Sequence, residues 1–293
     1  MRIFLLAVLG FSFAVSSCGR PAPVVPVKPA ITEHMKGDAM LVFSETHSWR
    51  HNEGIAGAGK ALVELAQDMG YAVYSTEQSA FFNAEDLARF KLVVFNNVTG
   101  EALTKQEQGV FETWFANGGA LVAIHGSGDR AERNWDWFRD DVIGSKFTAH
   151  PADPQFQTAR VQSLAPQHPV MAGLPDSFEL NEEWYSFEKP AQDHGMLPIA
   201  GLDETSYRPR NDVYGDYQDL RMDLNGDGPI AHPVIWSKCH EGDARPRSVY
   251  MALGHQVGTF DKDTSQGIAR KILANALHWS VKNTGKNDEG CGG

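Results

Sequence analysis

Four short apolar runs, AMLVF at 39–43, YAVYS at 71–75, KLVVF at 91–95 and GALVAI at 119–124, alternate with segments of helical spacing. The first such segment carries Ile55, Ala58, Leu62, Leu65, Ala66 and Met69 at three- and four-residue intervals and stops at Gly70. The second, Thr104 to Asn117, carries Val110, Phe111, Trp114 and Phe115 and is closed by Gly118. Strands this continuously apolar are buried on both faces, so the alternation predicts a parallel α/β sheet with helices on each side. Beyond residue 145 the runs are shorter (TARVQSL, MLPIAGL, PVIWSK, RSVYMALGH) and separated by long polar loops. A last amphipathic helix follows, with Ile268, Ile272, Leu273, Ala276 and Leu277 on one face. No internal repeat is visible, and the pattern predicts one domain over 37–282 with a polar tail at 283–293.

The N-terminus follows another logic. Arg2 precedes an apolar run from Ile3 to Val15, too short to span a bilayer. The sequence VSSC then ends at Cys18 and resembles the lipobox of bacterial lipoproteins. We therefore expect a lipoprotein signal peptide at 1–17; the alternative is a plain secretory signal. At 18–36 we expect a lipidated Cys18 and a tether rich in proline, with Pro21, Pro23, Pro26 and Pro29. Gly19 stands where an aspartate would favour inner-membrane retention, which points to an outer-membrane anchor facing the periplasm. In that oxidising compartment the two remaining thiols, Cys239 and Cys291, are candidates for a disulfide pinning the tail to the body. With 42% hydrophobic and 22% charged residues the chain is of ordinary globular composition. Its formal charge of -11 repels a phosphate backbone, so no nucleic-acid partner is expected.

Open parallel sheets bind ligands outside the carboxyl ends of their strands. Those ends carry Ser44 and Glu45, Asn96 and Asn97, His125 and, late in the chain, His255. The HSWRH segment adds His47 and His51, which in a helix would share a face as metal or sugar ligands. In GALVAIHGSGD the turn after the strand is where an elbow would lift one side chain above the sheet, here His125 or Ser127. FTAHP supplies His150, and NEEWYSF supplies Glu182, Glu183, Trp184 and Tyr185, a carboxylate beside aromatic rings. Such a setting holds a sugar and raises a carboxyl pKa towards general acid/base use. His168-Pro169 and His232-Pro233 read as turn elements. Asp223, Asn225 and Asp227 in DLNGDG match the opening of a calcium loop, but position twelve is Val234, which excludes an EF-hand and leaves an isolated Ca2+ loop or a surface turn.

Together RHNEGI, NGGALVAIHG, FTAH, EEWY, HPVIW and ALGH, in this order between Ala39 and Trp279, resemble the ThuA-like (trehalose utilisation) family. That family is a branch of the class I glutamine amidotransferase-like fold. The resemblance implies a flavodoxin-like three-layer sandwich with a mostly parallel central sheet. It also implies a pocket ringed by His51, His125, His150, Glu183, Tyr185 and His255, and a role with sugars or keto-sugars such as oxidised disaccharides. Glutaminase chemistry does not carry over, because the three cysteines are Cys18, Cys239 and Cys291 and none stands at the elbow. The segment from about 203 to 229 does not match the family. Three readings stay open. One is acid/base catalysis by His125 and Glu183, with His51, His150, Trp184, Tyr185 and His255 binding the sugar. Another is a Zn2+ centre on His47, His51, His125 and His255. The last is a non-catalytic surface lipoprotein that binds glycans or a partner.

Overall fold

The computed structural model describes residues 37–129, 134–213, 218–222, 232–282 and 290–291. The expected signal peptide, Cys18 and its tether, and the calcium-like loop of Asp223, Asn225 and Asp227 lie outside the described residues. Among those described, no helix is long and apolar enough to cross a membrane.

The first half alternates as expected. It runs β1 (Ala39–Phe43), α1 (Asn52–Asp68), β2 (Ala72–Thr76), α2 (Ala84–Leu87), β3 (Leu92–Asn96), α3 (Lys105–Ala116) and β4 (Ala120–Ile124). Next come β5 (Phe147–Ala149), β6 (Phe156–Ser163), β7 (Ser177–Glu183), β8 (Ser186–Phe187) and β9 (Leu197–Leu202). The chain closes with β10 (Arg210–Asn211), β11 (Gln218–Asp219), β12 (His232–Cys239), β13 (Arg247–Met251) and α4 (Ile268–Val281). Nine strands form one sheet in the order β2-β1-β3-β4-β13-β12-β9-β6-β7. The pairings from β2 to β13 are parallel and those from β13 to β7 antiparallel. Because two successive antiparallel steps restore direction, only β12 and β6 run against the rest. The carboxyl ends of β4, β7 and β13 therefore share one edge of the sheet.

β1, β3, β4 and β13 are buried at every position, as strands covered on both faces must be. Phe43 and Phe95 meet at 5.8 Å between ring centroids, and Phe111 of α3 stacks on Phe95 at 5.4 Å. α3 starts on a reciprocal cap in which Thr104 and Glu107 each bond the other's backbone N–H. His168 opens a short helical turn at Pro169–Met171, as expected: its Nδ1 accepts from Val170 N–H, and its Nε2 faces Gly290 O at 3.1 Å. His232-Pro233, by contrast, is no turn; it begins β12, with His232 wholly buried. His240 lies under Phe115, ring centroids 4.8 Å apart, with Nε2 2.8 Å from Ser248 Oγ. Burial pushes both His168 and His240 down to about 4.

Cys239 and Cys291 are bonded, with Cα atoms 5.5 Å apart and a sequence separation of 52. The tail is thus tied to the end of β12. A loop of that length is worth about 4 kcal/mol in the chain-entropy account of disulfides. The double variant Cys239→Ser, Cys291→Ser is expected to lose that order of stability in urea titrations, with reductant producing the same loss in the unsubstituted protein. An unchanged midpoint in both would show that the bond does not constrain the unfolded chain.

Candidate metal centre

The chain turns sharply after β4. His125 sits at φ +41°, a backbone region few side chains occupy, and is fully enclosed. This is the elbow expected from the sequence, and the lifted residue is His125. Ser127 is spent on bracing: its hydroxyl donates to Phe95 O at 2.9 Å and accepts from Val98 N–H at 3.0 Å. Asn97, also left-handed at φ +57°, accepts Gly126 N–H on its side-chain oxygen at 3.1 Å. Gly126 itself is required, since a Cβ there would come within 2.7 Å of His51 Nδ1.

Four strand positions separate β7 from β13, about 19 Å in a flat sheet. Glu183, the last residue of β7, nevertheless places Oε2 2.8 Å from His255 Nδ1 and 3.1 Å from His125 Nε2. The antiparallel half therefore curls over the carboxyl edge, helped by register shifts where β12 meets β9. His125 Nε2 and His255 Nδ1 are 3.1 Å apart, and the His51 ring meets both edge-on, with centroids 4.9 and 4.8 Å away. The donor atoms of His51, His125, Glu183 and His255 all lie within 4.8 Å of one another.

The other oxygen of Glu183 faces outward. Oε1 accepts from the Gln155 amide and lies 3.3 Å from His150 Nε2. The Tyr185 hydroxyl is 3.2 Å from His51 Nε2, and its ring lies 4.2 Å from that of His125. Tyr185 is fixed from behind by His232, which donates from Nε2 to its carbonyl at 2.6 Å.

Protonation states follow from these contacts. Burial, together with the neighbouring His125 and His255 rings, pushes His51 down to about 2. Burial also lowers His125, against the pull of Glu183. Burial alone would raise Glu183, but the imidazoles of His125, His255 and His150 around it outweigh this and hold it well below the usual carboxylate range. Near neutral pH, His51 and His125 are thus neutral and Glu183 is ionised. The expectation that Glu183 has a raised pKa fails, because the aromatic residues beside it in sequence are not what surrounds its carboxyl group. The raised carboxyl is Glu182, pushed up to about 7 by burial while it accepts hydrogen bonds from Thr259 and from His255 N–H.

His125 Nδ1 lies 3.1 Å from Ala252 O, an acceptor only, so Nδ1 donates there and Nε2 is the nitrogen turned towards Glu183 and His255. It lies 3.1 Å from Glu183 Oε2. A proton or a metal ion between the two would make this contact attractive. Neutral imidazoles, an ionised carboxylate and a ring N–H given to a backbone carbonyl are the features of metal-ligating side chains.

Two expected site residues are elsewhere. His47 is half exposed in the loop before α1, pairs with Glu45 at 2.8 Å and takes no part in the cluster. The segment holding it is not helical, so the assumed shared face with His51 does not form; Glu183 takes its place in the four-residue group. Trp184 is completely buried and its indole N–H donates to Gln157 O at 2.7 Å, so it presents no ring to a sugar. The exposed aromatic is Trp49, 69% accessible on the loop leading to His51. The sequence reading missed it, and also missed Gln155 and Thr259, polar residues whose neighbours in the chain carry no periodic signal.

The sequence profile of the ThuA family, described as trehalose utilisation, matches residues 39–280. The chain belongs to that family, and its α/β architecture is the three-layer, class I glutamine amidotransferase-like fold. A ThuA-like protein from Bacteroides uniformis superposes with a TM-score of 0.67 at 21% identity, covering 90% of this chain and 99% of that one. A second, from Parabacteroides merdae, gives 0.58 at 14% identity over 86% and 92% of the two chains. The N-terminal domain of mmIFT52 gives 0.56 at 13% identity over 85% and 99%, a likeness of fold alone. No curated protein matches in sequence.

Proposed function

We propose that this protein is an envelope-anchored lipoprotein of carbohydrate utilisation. In this reading it acts on a sugar or keto-sugar related to trehalose, using a divalent metal ion held within the group of His51, His125, His255 and Glu183. The observation that carries this reading is a largely buried group of four potential ligands whose donor atoms all lie within 4.8 Å of one another, with His125 Nδ1 held by Ala252 O and its Nε2 turned to Glu183. An ion bound there would polarise a carbonyl or hydroxyl oxygen of the substrate. His51 and Tyr185, joined at 3.2 Å, are positioned to hydrogen-bond a hydroxyl of a bound sugar. Burial holds the Tyr185 hydroxyl well above its ordinary pKa, which keeps it a donor. Trp49 offers an exposed ring to the C–H face of a sugar, and family membership supports a carbohydrate substrate. Cys18 would anchor the domain to the outer membrane through the tether, facing the periplasm.

Elemental analysis of full-length protein purified without chelator or histidine tag is expected to give about one transition-metal ion per chain. Chelation should then abolish conversion of keto-disaccharides, and re-addition of the ion should restore it. Metal-free protein that converts such sugars would return the acid/base role to His125 and Glu183. Saturable sugar binding with no product over long incubation would instead make the protein a glycan-binding lipoprotein.

A further inference from the structure

The inner ligands are not equivalent. Glu183 Oε2, His255 Nδ1 and His125 Nε2 form a compact triangle with edges of 2.8, 3.1 and 3.1 Å. For metal–ligand bonds of about 2.0–2.1 Å, ligands at right angles stand about 2.9 Å apart and tetrahedral ligands about 3.4 Å apart. The triangle has the size of an octahedral face. The four donor groups lie within 4.8 Å of one another, and three of them make this tighter triangle. His51 is the fourth, outside the triangle, with Nε2 engaged by the Tyr185 hydroxyl at 3.2 Å.

The surroundings keep that face as it is. Gln155 and His150 engage Glu183 Oε1, leaving a single carboxylate oxygen turned inward. Ala252 O holds His125 Nδ1 and so turns Nε2 towards the triangle. Two imidazoles and one carboxylate oxygen on one face leave the opposite positions of a six-coordinate ion open. His125 and Glu183 are enclosed, with side chains 0% and 2% exposed, while His255 and His150 are 15% and 25% exposed and mark the side facing solvent.

We infer that His125, His255 and Glu183 form one face of a six-coordinate divalent centre, and that a substrate binds the opposite face through two adjacent oxygens. The ion is then of the manganese, iron(II) or cobalt(II) kind, rather than the four-coordinate zinc first suggested by the number of histidines. The substrate class is a vicinal diol or α-hydroxycarbonyl, both of which occur in keto-sugars. This inference rests on the metal-assisted reading above and adds the coordination number, the ligand set and the mode of substrate attachment.

Cobalt(II) titrated into metal-free, full-length protein tests it. The expected visible spectrum is the weak absorption of six-coordinate cobalt. Acetohydroxamate, a two-oxygen chelator, should shift it with one-to-one stoichiometry, whereas acetamide should not. Changing His125, His255 or Glu183 to alanine should weaken cobalt binding by more than about 100-fold. His51→Ala should retain the ion. An intense tetrahedral spectrum, or cobalt loss in His51→Ala as complete as in His125→Ala, overturns this inference while the metal-assisted function stands. Failure of the unsubstituted protein to bind cobalt overturns both. The wild-type spectrum alone fixes the coordination number, so a variant that does not fold cannot hide the answer.

Discussion

Glu183→Gln is expected to leave the domain folded, to lower affinity for the metal ion by more than about 100-fold and to abolish turnover with it. The substitution keeps volume and planarity but removes the charge and replaces one oxygen by an amide. In metal-free protein Glu183 Oε2 lies 3.1 Å from His125 Nε2 and 2.8 Å from His255 Nδ1, and a planar amide can keep part of those contacts. Because the folded chain favours the ionised carboxylate, metal-free Glu183→Gln should melt a few degrees below metal-free wild type while remaining folded. The two readouts separate function from structure. If metal-free Glu183→Gln melts many degrees lower, Glu183 holds the two halves of the sheet together and its charge is a stability device.

The second large effect is acid lability. Buried His51, His168 and His240 are held at about 2, 4 and 4 in the folded chain, against an ordinary 6.5 when it unfolds. Above pH 6.5 these rings are neutral in both states and contribute no pH dependence. As pH falls below 6.5 the unfolded chain takes up protons that the folded chain refuses. Stability is lost at about 1.4 kcal/mol per pH unit for each ring, down to about pH 4 for His168 and His240. Glu182 works the other way: its pKa is raised from 4.5 to about 7 on folding, so its contribution grows as pH falls between those values. These three histidines outweigh the one carboxyl, and His125, lowered as well, acts in the same direction, so stability falls by about 3 kcal/mol per pH unit from His51, His168, His240 and Glu182 together between pH 6.5 and 4.5. Urea titrations of metal-free protein at pH 7, 6 and 5 measure that slope, and His240→Gln should reduce it by about 1.4 kcal/mol per pH unit. A flat profile would mean that these rings take up protons without unfolding.

The parallel half of the sheet was legible because its signal is local. Continuous apolar runs at β1, β3 and β4, and the spacing of Leu62, Leu65 and Ala66 in α1, state burial on both faces without reference to the rest of the chain. Elbow position and the polar ends of strands then led to His125 and His255. β7 was not legible as a strand. In SFELNEE the residues alternate between exposed and buried, yet the acidic side chains at its end are enclosed by partners far away in sequence. Trp184 was expected to face a sugar and Trp49 was given no role, for a similar reason. Which aromatic ring is buried depends on whether its N–H finds a distant acceptor, here Gln157 O, and no periodicity encodes that. His47 lies apart because a shared face with His51 required helix between them, and α1 begins at Asn52, where Asn52 and Glu53 were expected to open it.

The curled antiparallel half has an evolutionary corollary. His125 and His255 lie at or within a few residues of the ends of buried central strands, and Glu183 ends β7, so the length of chain between each ligand and its strand is not free to drift. The connections that follow, between β9 and β12 above all, return to the sheet through strands whose pairing is fixed elsewhere. They can gain or lose residues without displacing a ligand. Divergence among such proteins should therefore accumulate as length variation in those connections, while the spacing of His125, Glu183 and His255 from their strands is kept.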